Sequence, residues 1–181
     1  MRLLLQAHLS WLFGSVTTQS FLGRLGCRVS EAEKLSSLIA ARLRRSLHIR
    51  HLDAGSCNGC DWELTALLNP FYDIQRLGID FVASPRHADL LLVTGTMTRN
   101  LEEAARLTYE AMPGPKLVVA VGACAMGGGV FAQSYATARG VDSVLPVDVF
   151  IPGCPPRPEA IIHGLLLAVG RRDGVLNQEW T

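Results

Sequence analysis

The sequence has no run of eighteen apolar residues, so no transmembrane helix is expected. It also has little net charge. The 17 basic and 16 acidic residues leave +1, which argues against a nucleic-acid binder driven by charge. There are no internal repeats and no low-complexity tracts. The apolar start Met1-Arg2-Leu3-Leu4-Leu5 is broken by Gln6, His8 and Ser10, and no clean small-residue cleavage site follows, so a cleaved signal peptide is not expected. The five cysteines are odd in number, and their settings do not suggest a secreted disulfide framework. What is present is a chain of 181 residues, 49% hydrophobic and 18% charged. That is one domain's worth of sequence, far from the disordered corner, with enough apolar surface for a core that needs no disulfides.

The near-neutral average hides an uneven layout. Residues 1–50 carry eight basic residues against two acids, and the rest carries nine against fourteen. Leu3–Phe13 is apolar on nearly every side, with Trp11 and Phe13 near its end. Ser30 can cap a helix, Glu33 sits three residues on, and Leu35, Leu38, Ile39, Leu43 and Leu47 recur at helical spacing. Arg42, Arg44 and Arg45 load the C-terminal end of that helix, where its dipole favours cations. From His48 the pattern changes to short apolar runs alternating with helices. Strands are predicted at Ile49–Leu52, Ile79–Ala83, Asp89–Thr94, Lys116–Val121 and Val147–Ile151, and helices at Asp61–Leu68, Leu101–Met112 and Glu159–Val169. Buried apolar strands alternating with helices predict an α/β fold with a parallel sheet and helices on both faces.

Four cysteines fall in loops predicted to follow strands. Cys57 and Cys60 lie in Gly55-Ser56-Cys57-Asn58-Gly59-Cys60, Cys124 in the glycine-rich stretch Gly122–Gly129, and Cys154 in Pro152-Gly153-Cys154-Pro155-Pro156. In open α/β sheets ligands bind at the carboxyl ends of strands, so three loops are predicted to deliver four thiolates to one edge. An iron–sulfur cubane needs four such thiolates, and the neighbouring glycines expose backbone N–H groups that can donate to its sulfurs. Zinc is a second reading, although structural Cys₄ sites usually come as two close pairs in small domains that need the metal to fold. A redox dithiol is a third, but it leaves Cys124 and Cys154 idle, and buried small hydrophobes are a fourth. A phosphate loop at Gly122–Gly129 is not expected, because no Lys-Ser/Thr follows it. Cys27 stands apart and reads as a structural thiol.

Four motifs occur in order: Gly55-Ser56-Cys57-Asn58-Gly59-Cys60-Asp61, Ser84-Pro85-Arg86-His87-Ala88-Asp89-Leu90-Leu91, Gly122-Ala123-Cys124, and Ile151-Pro152-Gly153-Cys154-Pro155-Pro156-Arg157-Pro158. Together they resemble the small-subunit family shared by nickel–iron hydrogenases and the 20-kDa subunit of respiratory complex I, over about residues 48–170. The resemblance implies a flavodoxin-like fold and one [4Fe–4S] cluster held by Cys57, Cys60, Cys124 and Cys154. Complex I subunits of this family have two adjacent cysteines at the first site, whereas here Asn58 and Gly59 separate Cys57 from Cys60. The stretch Asp61-Trp62-Glu63-Leu64 is most similar to the membrane-bound, energy-converting group that includes formate hydrogenlyase. Uptake hydrogenase small subunits are longer, hold extra clusters and carry a twin-arginine signal. This chain ends soon after Cys154, and its early Arg44-Arg45 pair lies too deep for such a signal.

The resemblance therefore implies an electron-transfer subunit on the cytoplasmic face of the inner membrane. Its partners would be a NiFe-type large subunit, a ferredoxin-like iron–sulfur subunit, and antiporter-like or quinone-module membrane subunits. Two alternatives stay open: a complex I-like quinone-reducing module without nickel, and a zinc-stabilised assembly protein. The implied organisation is an N-terminal arm and helix at 1–47 that docks on membrane subunits, a cluster domain at 48–172, and a tail at 173–181. Asp61 and Glu63 read either as dipole-stabilising acids at a helix start or as carboxylates relaying protons near the cluster, Glu63 being the candidate catalytic group. Arg86 and His87 read as solvated loop residues or as groups near a cluster or interface. Arg157, after Cys154, is a similar case; a guanidinium there would stabilise an added electron.

Overall fold

The computed structural model describes residues 33–171, apart from Arg42 and the side chain of Arg171. The expectations for the apolar arm, for Cys27, for the Ser30 cap and for the 173–181 tail lie outside the described residues.

Five strands form the expected α/β sheet: β1 (Leu47–Asp53), β2 (Ile79–Phe81), β3 (Leu90–Thr94), β4 (Leu117–Val121) and β5 (Val149–Ile151). Their order is β2-β1-β3-β4-β5 and every pairing is parallel. This is the flavodoxin-like order, whose topological switch point lies between β1 and β3. Parallel strands need crossovers, and helices supply them on both faces. α2 (Gly59–Ala66), α3 (Glu102–Ala111) and α4 (Gly122–Gly127) lie within such crossovers, while α1 (residues 33–43) precedes β1 and α5 (Pro158–Arg171) follows β5.

The pleat sorts the core into two layers. Leu90, Leu92, Leu117, Val119 and Val121 join one cluster, packed with Leu35 and Ile39 of α1, Leu64 of α2 and Ile161 and Leu165 of α5. Leu91, Val93, Val118 and Ala120 point the other way, toward Ala105 of α3 and Ala125 of α4. Side chains alternate across a strand, so β4, and β3 up to its terminal Thr94, can be apolar only because both faces are covered. Residues 33–43, assigned from sequence to the arm, thus contribute two fully or nearly fully buried side chains to the same core as the sheet. Arg45, just past that helix, makes a paired contact with the Asp89 carboxylate at 2.7 and 3.0 Å.

Glycine stretches hide one helix from sequence reasoning. Gly122–Gly127 is α4, so Cys124 sits on a short helix, and Cys60 likewise lies in the first turn of α2 rather than in a loop. No described helix is long and apolar enough to cross a membrane.

Candidate metal centre at the carboxyl edge of the sheet

The four cysteines meet where the topology puts them. β1 ends at Asp53, and its loop carries Cys57 into Cys60 on α2. β4 runs straight into α4 and Cys124, and β5 is followed by Cys154. Cys57 and Cys154 are exposed, Cys60 is half-buried and Cys124 is buried. The two less exposed thiols, Cys60 and Cys124, feel their surroundings. Burial is the main cause pushing the Cys60 thiol up to about 11, followed by Asp61 and then Cys124, Cys57 and Cys154. Burial likewise raises the Cys124 thiol, with Cys154 and Cys57 adding to it. A coordinated metal reverses this logic, since ligation deprotonates a thiol outright.

Glycines make the space. Gly122 has φ +90°, and a Cβ there would fall 2.7 Å from Cys60 Sγ. Gly129 has φ +52°, and a Cβ there would fall 3.0 Å from Cys124 Sγ. Side chains at these two positions would fill the room around the sulfurs. Among the described residues, no three His, Cys, Asp or Glu side chains gather closely enough to grip a single metal ion. Four thiols around glycine-lined space are a donor set of the kind an iron–sulfur cubane takes at its corners.

The cysteine loop is tied to the sheet by polar side chains. Asp53 Oδ1 accepts from the N–H groups of Gly55 and Ser56 at 2.8 and 2.7 Å. The Ser56 hydroxyl donates to Asp61 Oδ2, and Ser56 Oγ accepts from the Asn58 N–H at 3.0 Å. Asn58 itself is left-handed, φ 65°, a conformation that asparagine tolerates. Thr94 and His51 join the same network from the ends of β3 and β1. Burial lowers the His51 pKa below 6.5, outweighing the opposing pull of Asp61 and Asp53.

Thr94 and His51 were missed in the sequence. The only available signal was a polar residue near the carboxyl end of each of two strands that pair in a parallel sheet. Glu63 is half-buried on α2 and makes no hydrogen bond or ion pair with the described residues. Arg86 and His87 are not near the cysteines. They form a 3₁₀ turn entering β3, at the sheet's amino edge, a strand's length or about 16 Å from the other edge. Arg157 does share the cysteine edge, exposed between Pro156 and Pro158.

Residues 57–168 match the family described as NADH ubiquinone oxidoreductase, 20 Kd subunit. The probable membrane-bound hydrogenase subunit mbhJ of Pyrococcus furiosus is 52% identical over 143 residues, 77% of this chain and 86% of that one. Formate hydrogenlyase subunit 7 of Escherichia coli is 43% identical over 141 residues, 76% of this chain, which spans 55% of that protein's length. An NADH-quinone oxidoreductase subunit of Clostridium beijerinckii is 53% identical over 108 residues, 59% of this chain and 64% of that one. Among solved structures, a chain of the membrane-bound sulfane sulfur reductase, an archaeal respiratory membrane complex, matches with a TM-score of 0.62 at 36% identity, over 72% of this chain and 73% of that chain. A chain of an NAD⁺-reducing [NiFe]-hydrogenase shares the fold, with a TM-score of 0.53 at 21% identity, over 68% of this chain and 92% of that chain. The matched span runs from the first thiol of the site into α5 and covers more than half of the sequence, so the chain belongs to the NADH ubiquinone oxidoreductase 20 Kd subunit family.

Proposed function

We propose that this chain is the electron-transfer subunit of a membrane-bound, hydrogenase-type oxidoreductase complex, holding one [4Fe–4S] cluster on Cys57, Cys60, Cys124 and Cys154. The observation that carries this reading is the convergence of four thiols from three chain segments on one glycine-lined edge. When bound, the cluster supplies one reversible electron at a time. The protein's part is to hold the thiolates, keep side chains out of the space around the sulfurs, and limit water.

Two thiols of the set are exposed, as are Trp62, five residues after Cys57, and Val130 and Tyr135, which follow Cys124 in the chain. A site so open needs a cover, and a NiFe-type large subunit that exchanges the electron is the partner that fits. A ferredoxin-like iron–sulfur subunit would sit on the other side of the electron path. Glu63 is the carboxylate proposed for proton traffic toward the large subunit. The basic, apolar arm would dock on antiporter-like or quinone-module membrane subunits at the cytoplasmic face. Deleting residues 1–28 should leave the cluster in place and loosen that attachment, which sedimentation after gentle solubilisation would read.

The main test is anaerobic purification of the complex. About four irons in this subunit, with a broad absorbance near 400 nm, are expected for one cubane (both figures are approximate for this cluster type). Zinc without iron would overturn the reading in favour of a zinc-stabilised assembly protein. A second reading, a nickel-free complex I-like module, has support in the 36% identity to the sulfane sulfur reductase chain and the 53% identity to an NADH-quinone oxidoreductase subunit. Nickel analysis of the same preparation separates the two.

A further inference from the structure

Asp61 lies one residue beyond a cysteine, yet its carboxylate is engaged by three different segments. Oδ2 accepts from the hydroxyl of Ser56 inside the cysteine loop. Oδ1 accepts from the hydroxyl of Thr94, at the end of β3, at 2.7 Å. The same oxygen is 3.1 Å from Nε2 of His51 on β1. Thr94 is fully buried, and its Oγ1 is 2.9 Å from His51 Nε2. A hydroxyl has one proton, and Thr94 gives it to Asp61. Thr94 Oγ1 is therefore the acceptor for the imidazole, which places the proton of neutral His51 on Nε2. Ser56, having donated to Asp61, accepts from the Asn58 N–H. The donors satisfy one another in a closed set that crosses the β1–β3 switch point.

An acid that served only the α2 dipole would need none of these partners. We propose that Asp61 is a positioning residue: its carboxylate straps the Ser56–Cys60 loop to the ends of β1 and β3, so that Cys57 and Cys60 meet the cluster in one fixed geometry. This rests on the cluster reading above. Asp61 acts through the loop, whose path Ser56 and Asn58 define, and needs no contact with the cluster itself.

The test compares intact complexes carrying Asp61→Asn, Ser56→Ala, Thr94→Val and the Ser56→Ala/Asp61→Asn pair. Reduced-state EPR and the rate of iron release to a chelator are measured on each. Asp61→Asn keeps the side chain's size and one acceptor oxygen, and Ser56→Ala removes a single hydroxyl, so at least one variant folds. Asp61→Asn and Ser56→Ala should each shift the g-values and release iron faster, by roughly tenfold for a coupled network. The pair should be no worse than Asp61→Asn alone. Unchanged g-values and release in Asp61→Asn would overturn the proposal. So would an altered Asp61→Asn beside silent Ser56→Ala and Thr94→Val, because the carboxylate would then act by charge alone. Failure of the cluster reading is told apart by the wild-type complex, which would then hold no iron.

Discussion

Acidic residues organise both edges of this sheet, and they do different things at each. At the amino edge Asp89 and Asp148 stand immediately before β3 and β5. Each accepts from the first free N–H groups of a neighbouring strand: Asp89 from His48 at 3.2 Å, Asp148 from Val118 at 2.8 Å. Asp89 also takes the Arg45 guanidinium and so pins the segment after α1. At the carboxyl edge Asp53 and Asp61 accept instead from loop N–H groups and hydroxyls. Left-handed backbone concentrates there as well, at Asn58, Gly95, Gly122 and Gly153. The amino edge closes the sheet; the carboxyl edge holds irregular chain in place around a site. One fold can therefore keep a stable end and a functional end, because parallel strands present different backbone groups at their two ends.

The largest effect that separates the edges should come from the thiols. Cys57→Ser, Cys60→Ser, Cys124→Ser or Cys154→Ser should each abolish the reduced-state EPR signal or stop assembly, whereas Cys27→Ser should leave signal and turnover nearly unchanged. Next comes a pair of glycines only five residues apart. Gly122→Ala meets both a φ of +90° and the Cys60 sulfur, and should cost about 1–3 kcal/mol together with loss of iron. Gly127→Ala meets nothing within 4 Å inside a helix and should be neutral or stabilise by up to about 1 kcal/mol. Denaturation midpoints and iron content check both.

At the other edge, Asp89→Ala should lower stability by about 1–2 kcal/mol, since it leaves a strand N–H without its acceptor. The EPR signal should not move; if it does, the two edges are not independent. The smallest effect is a titration. The lowered His51 pKa means that the folded state resists protonation, so stability should fall as pH drops from 6.5 toward the folded value. His51→Gln should flatten that limb of a stability–pH curve. NMR of the ring should show the proton on Nε2.

The strands and the four thiols were legible because both follow local rules. Leu90–Thr94 and Leu117–Val121 are apolar runs of strand length, and a strand followed by a glycine-flanked cysteine marks a carboxyl edge. Helix α4 was not legible. Glycine disfavours helices, so local propensity does not announce Gly122–Gly127, whose first turn is tied to a distant segment by the Ala123 N–H bonded to the Gly153 carbonyl at 2.8 Å. Arg86 and His87 stood in a motif beside a strand, but entering a strand and leaving it are opposite ends of the molecule. The Asp61–Thr94 bond joins residues 33 positions apart, and no periodicity reports such a partner.

The order of the thiols along the chain has a consequence for biosynthesis. Cys57 and Cys154 are 97 positions apart, and the last one follows β5, an edge strand joined to the sheet by three residue pairs. A polypeptide still emerging from the ribosome displays Cys57 and Cys60 long before it can offer a fourth donor. Pairings this distant in sequence form late. A group held by all four thiols could therefore be completed only after β5 and Cys154 have been made, and a truncated product that stops short of β5 carries at most three of the four thiols.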